Sequence, residues 1–316
     1  MIATQNTVQR NVRLNVRSYT YESVLDASEK INWRVEDIIG EGKTLDFSKP
    51  FMPESLARVG ELDFLNARER LLLNQIRGHA YLGIFIVVEE FILPFVLEHI
   101  RASLAQDDYR TRAFLEFAGE EAKHMHLFKR FREEFEKGFG TRCDIIGPAA
   151  EIGMAILSHD PLGVALAILG IEWMTQAHYV EGVKDAELDP LFKSMLKHHW
   201  IEESQHAKLD TLMVESIVRN YSEEQITKGL ADYAAVGAFI DGGVRQQAEL
   251  DLDALQRASG RTFSPAEKDR FMASQVQANR FTYLYTALTH PNFLDTVERI
   301  RPEARNQIEA MSATFK

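Results

Sequence analysis

Glu121 with His124 and Glu203 with His206 are the two Glu-x-x-His matches in this chain of 316 residues. On a helix, residues three apart lie about 60° from one another, so both side chains can reach one point beside the axis. Either match alone is weak, because a chain with this much Glu and His yields about one by chance. Their setting says more. Each follows a segment that carries a carboxylate inside an apolar run: IFIVVEEFILPF holds Glu89 and Glu90, and PLGVALAILGIEWM holds Glu172 after eleven residues without a charge. A carboxylate buried in such a run costs several kcal/mol unless a cation or hydrogen bonds compensate. The ordinary compensation is a buried Arg or Lys. The alternative is a metal pair, since four carboxylates balance two divalent ions and two imidazoles complete a mixed oxygen and nitrogen set suited to iron or manganese.

Neighbouring registers supply no second set. Glu120 has Lys123 three residues on and Glu202 has Gln205, and His126 lies about 160° around the helix from His124, which turns it outward. Between Glu89 and Glu90 the chemistry alone does not choose. His199 stands four residues before Glu203 and seven before His206, within about 60° of arc, so a third imidazole could reach the same point.

The elements that must carry these residues are helical. Apolar residues recur at helical spacing from about Leu65 to Arg101, with Pro94 as an expected kink, and again from about Asp107 to Phe135, closed by Gly138 and Gly140. Asp160-Pro161 and Asp189-Pro190 each place a capping side chain before a proline at the first helical position, opening helices that run to about Gly182 and Tyr221. Ser222 with Gln225 and Ser264 with Glu267 are capping boxes for two more. Period-two apolar runs are nearly missing, so the expected class is all-α. The expected organisation is one domain over 1–316, with metal-binding helices at about 65–221, a packing extension at 1–60 and C-terminal helices at 222–316.

The order Glu, Glu-x-x-His, Glu, Glu-x-x-His resembles that of ferritin-like di-iron and di-manganese proteins, which implies a ferritin-like four-helix bundle core. The run HHWIEESQHAKLD narrows the likeness. With its His-x-x-x-Glu-x-x-His spacing it resembles the p-aminobenzoate N-oxygenase family, whose third Glu precedes that His by the interval between Glu172 and His199. The resemblance implies Glu89, Glu121, His124, Glu172, His199, Glu203 and His206 as ligands. It selects Glu89 over Glu90, because the family has a Tyr eight residues before its first Glu and Tyr81 stands there. A substrate-side Asn one turn after the third Glu is matched by the longer amide Gln176. A late Arg that pairs with the substrate carboxylate has only Arg280 as a candidate. Tyr81, Gln176 and His178 are the candidate pocket residues near the helices.

The activity so implied is that of a non-haem di-iron monooxygenase. Two Fe ions, with manganese as an alternative, reduce O2, and oxygen passes to an arylamine to give hydroxylamine, nitroso or nitro products. No flavin fingerprint or phosphate loop appears, so electrons are expected from a separate donor or reductase. A non-catalytic ferritin-like metal-binding protein and a di-iron hydroxylase acting on carbon are the competing readings.

Composition sets the outer bounds. Hydrophobic residues make up 45% of the chain and charged ones 26%, enough for a sizeable core. A net charge of -11 points away from nucleic acid. The basic N-terminal stretch has no apolar centre and does not read as a secretory signal. The apolar run from Tyr81 to Leu97 holds Glu89 and Glu90 at its middle, which reads as a core helix rather than a membrane span. The single cysteine, Cys143, excludes an intrachain disulfide framework and multi-cysteine metal sites and fits a cytoplasmic setting. A homodimer is compatible with all of this.

Overall fold

The computed structural model describes residues 19–101 and 104–315, and residues 1–18, where most of the basic N-terminal stretch falls, lie outside it. Among the described residues the secondary structure is entirely helical, as expected. Three short helices come first: α1 (Tyr21–Ser28), α2 (Val35–Ile38) and α3 (Glu54–Ala57). The long helices, with the short α6 among them, follow as α4 (Ala67–Arg101), α5 (Asp108–Phe139), α6 (Ala149–Leu157), α7 (Pro161–Ala177), α8 (Pro190–Arg219), α9 (Glu223–Ser259) and α10 (Pro265–Arg280). The chain closes with α11 (Thr286–Leu288), α12 (Pro291–Ile300) and α13 (Pro302–Ser312).

The capping residues act as their types predict. Asp160 accepts from the Leu162 amide and Asp189 from that of Phe192, while Ser222 with Gln225 and Ser264 with Glu267 form reciprocal capping boxes. Helix α5 runs on to Phe139 and stops at Gly140, whose φ of 73° belongs to the left-handed region that glycine enters without strain. Helix α4 continues through Pro94 to Arg101. By length and composition α4 could cross a membrane, but it packs along α5 and against α6 and α9, with 67% of its most apolar window buried.

Two packed pairs, α4 with α5 and α7 with α8, make the core, and α9 lies against both α4 and α7. The crossing of α7 and α9 is close because two glycines meet it. A Cβ on Gly229 would stand 2.7 Å from that of Leu162, and one on Gly163 would stand 2.9 Å from the Tyr233 amide. The described part of the N-terminal extension, from residue 19, is bound into this body, α1 packing on α5 and α8. Two π-helical turns, His178–Val183 after α7 and Phe281–Tyr285 after α10, were not visible as such in the sequence.

Candidate metal centre

Seven side chains predicted as ligands meet in the core. Glu89 comes from α4, Glu121 and His124 from α5, Glu172 from α7, and His199, Glu203 and His206 from α8, and all are buried to 2% exposure or less. Potential ligand atoms of Glu89, His124, His199 and Glu203 lie within 4.8 Å of one another, as do those of Glu121, His124, Glu203 and His206. Glu172 faces the same centre through Glu203.

The two Glu-x-x-His carboxylates straddle the site. Glu203 turns Oε1 toward His124 Nδ1 at 3.1 Å and Oε2 toward His206 Nδ1 at 3.2 Å. Glu121 does the same from the other helix, with Oε2 at 3.3 Å from His124 Nδ1 and Oε1 at 3.0 Å from His206 Nδ1. Two positions that could each hold a cation result, one at His124 and one at His206, with both carboxylates between them. His199 joins the first: its Nε2 is 2.6 Å from Glu203 Oε1 and 3.7 Å from Glu89 Oε1. Glu90 is exposed, so the fold separates the pair that chemistry left open.

Glu120 and Glu202, set aside in the sequence for want of an imidazole three residues on, are buried and take part. Glu202 on α8 lies 2.8 Å from His124 Nε2, and Glu120 on α5 lies 2.8 Å from His206 Nε2. Each carboxylate accepts the Nε2 proton of the imidazole on the opposite helix and so leaves Nδ1 to face the centre. The repeated Glu-Glu-x-x-His in the two helices was the available signal. Ser28 donates to the other oxygen of Glu120 at 2.6 Å, which ties α1 to this shell.

A bare Nδ1 facing carboxylates demands a positive charge between them, either a proton or a metal ion. Burial works against charging His124 and His206, yet the surrounding glutamates outweigh it and hold both imidazoles well above their ordinary pKa. Burial, followed by the charge of Glu203, pushes the Glu172 carboxyl well up. For Glu203 burial opposes ionisation, but His199 and His206 overcome it and keep the carboxylate ionised. Burial lowers the pKa of His199, against the opposing charge of Glu203.

The fit to a metal pair rests on polar atoms that protein partners leave unsatisfied. Glu89 Oε2, Glu121 Oε1, Glu172 Oε2, His199 Nε2 and Glu203 Oε1 are buried with no hydrogen-bond partner. His199 Nε2 and Glu203 Oε1 are close but out of hydrogen-bond alignment, which is how two ligand atoms stand when both aim at a shared cation. Aromatic rings pack against the imidazoles: Phe117 lies 4.2 Å from His206, and Phe128 and Phe85 lie 5.0 and 5.3 Å from His199, between centroids.

The candidate substrate residues have other partners. The Tyr81 hydroxyl is 3.2 Å from His178 Nδ1, and His178 Nε2 is 3.0 Å from the Thr282 carbonyl. With Nε2–H donating to that carbonyl, Nδ1 accepts from Tyr81, and the chain of bonds joins α4 to both π-helical turns. Gln176 donates to the Trp200 carbonyl at 3.2 Å. Arg280 is held by Asp241 through two bonds of 2.6 and 2.8 Å. The described structure thus brings the seven predicted ligands together and leaves these four candidates engaged in contacts between helices.

Beside the centre, a cleft of about 370 Å³ lies between α4, α6, α7 and α9, and Phe85 is in its wall.

No protein-family model matches the chain, and no curated protein does. Similar solved structures include variants of an R2-like ligand-binding oxidase. One with an aerobically reconstituted Mn/Fe cofactor is 12% identical, with a TM-score of 0.44 over 83% of this chain and 93% of that one. Another, with an anaerobically reconstituted Mn/Fe cofactor, is 14% identical, with a TM-score of 0.45 over 89% of this chain and 98% of that one. A third, with an aerobically reconstituted Fe/Fe cofactor, is 14% identical, with a TM-score of 0.44 over 88% and 98%.

Proposed function

We propose that the chain is an O2-dependent di-metal oxidase, holding two iron ions or manganese with iron, and that it N-oxygenates an arylamine or related amine. The metal part is carried by one observation: five buried carboxylate and imidazole atoms from four helices have no hydrogen-bond partner, and four of the five residues belong to two groups whose ligand atoms lie within 4.8 Å of one another. Glu121 and Glu203 would bridge the two positions. His124, His199 and Glu89 would serve one, and His206 with Glu172 the other. A redox-active pair bound there supplies the electrons for reductive activation of O2.

The protein's own part is to orient and to enclose. Glu120 and Glu202 fix the imidazole tautomers, and Phe85, Phe117 and Phe128 pack against the ligand rings. The N-oxygenase reading is supported by His199, whose ring enters the centre and adds a third imidazole on the His-x-x-x-Glu-x-x-His run. A separate electron donor and a cytoplasmic setting belong to the same reading.

The test begins with metal counting on the purified chain, followed by reduction and exposure to O2 with an arylamine. About two ions per chain and a hydroxylamine, nitroso or nitro product are expected. Oxygen inserted only at carbon would sink the N-oxygenase reading and leave the oxidase. A chain that takes up no metal would sink both.

A further inference from the structure

The cleft beside the centre has no Asp, Glu, Lys, Arg or His in its lining. Its exposed rim includes Ala238, Phe239 and Gln246 of α9, and its buried end includes Phe85, Ile156 and Met174. The polar side chains among its walls are the Gln246 amide and the Tyr283 phenol, and burial holds that phenol neutral by raising its pKa. At about 370 Å³ the cleft falls within the size range of small-molecule sites.

Its place is as informative as its lining. Phe85 forms part of its wall and lies edge-on to His199, 5.3 Å between ring centroids. Val88 and Ile171, next in sequence to Glu89 and Glu172, are also in the wall. One aromatic ring therefore stands between a molecule in the cleft and a ligand imidazole.

We propose that this cleft is the substrate chamber and that it selects an uncharged, largely apolar small molecule, an arylamine without a carboxylate being one, over a carboxylate-bearing arylamine. The inference rests on the oxidase reading for the chemistry, but the selection follows from the lining. A carboxylate entering an apolar cleft loses its hydration and finds no cation there, whereas a neutral amine and its apolar body lose little or gain. Arg280, the one arginine the sequence offered as a carboxylate partner, is not in the lining, and Asp241 already occupies its guanidinium.

Equilibrium binding of 4-butylaniline and of p-aminobenzoate to the full chain at pH 7 tests this, with metal content read on the same samples. The native chain is expected to bind 4-butylaniline at least tenfold more tightly. Gly243→Leu should weaken that binding at least tenfold while metal content is retained. Gly243 is in the wall, and a Cβ there meets Ile146 at an ordinary 3.5 Å, so the added side chain starts without a clash and takes up space in the cleft. Gln246→Lys, at the exposed rim, does not depend on core packing and should raise p-aminobenzoate affinity several-fold. Equal or tighter binding of p-aminobenzoate by the native chain overturns the proposal, as does unchanged 4-butylaniline binding in Gly243→Leu or no gain in Gln246→Lys. Any of these with two metals per chain leaves the oxidase reading standing. Selective binding by a chain that takes up no metal does the reverse.

Discussion

Glu202 and Glu120 show how a residue without ligand spacing can still shape a candidate metal centre. Each takes the outer proton of an imidazole and makes it a better, correctly turned ligand. Glu202→Gln should lower metal affinity by roughly 10- to 100-fold, read by competition with a chelator, with the helical content kept. Sequence reasoning passed over both because their partners are on another helix, 78 and 86 residues away, and spacing along one helix says nothing of that. His79 makes a second prediction of its own. It is buried, stacked on Phe135 at 4.6 Å, and accepts from Arg132. Burial and then the Arg132 charge bring its pKa from 6.5 down to about 3. A depressed histidine favours folding when neutral, so its contribution is complete above about pH 6.5 and falls away as the pH drops toward 3. By pH 4 the native chain should have lost roughly 3 kcal/mol relative to His79→Leu, measured by denaturant titration of both at pH 7 and pH 4.

Among the elements, what was legible was what is local. Asp160, Asp189, Ser222 and Ser264 announced four helix starts because a cap is made within three residues of itself. The π-helical turns and the short α6 were not read, since no local pattern separates a π turn from an α turn and α6 spans nine residues between two loops. Nor did the sequence tell why Gly163 and Gly229 are glycine; the reason is a helix crossing 66 residues apart in the chain. Gly229→Ala would set a methyl 2.7 Å from the Leu162 Cβ and force α7 and α9 apart. We expect a loss of about 1 to 3 kcal/mol in urea unfolding, despite the gain in helix propensity.

At the scale of the whole molecule, the N-terminal extension is part of the centre's cover. Trp33 stacks on His124 with 6.1 Å between ring centroids, and Lys123 Nζ lies 4.1 Å over the indole while its ammonium pairs with Glu202. With Ser28 on Glu120, this closes the α5 and α8 side of the site. The sequence offered the extension as packing, and its contacts with ligand-orienting residues became visible only in three dimensions. Trp33→Ala should speed metal loss to a chelator several-fold, in stopped-flow or manual mixing, more than it alters the equilibrium helical content. A rate equal to that of the native chain would mean that the extension does not shield the centre.

The crossed pairing of Glu120 with His206 and of Glu202 with His124 reaches beyond ligand chemistry. The Nε2 partner of each imidazole comes from the other helix, so a slip of α5 along α8 by one turn, about 5.4 Å, breaks both links together. The centre is thus a gauge of alignment between two halves of the chain. During refolding, tight metal uptake should appear only after the α4–α5 and α7–α8 pairs have docked in register, and its onset would time that event.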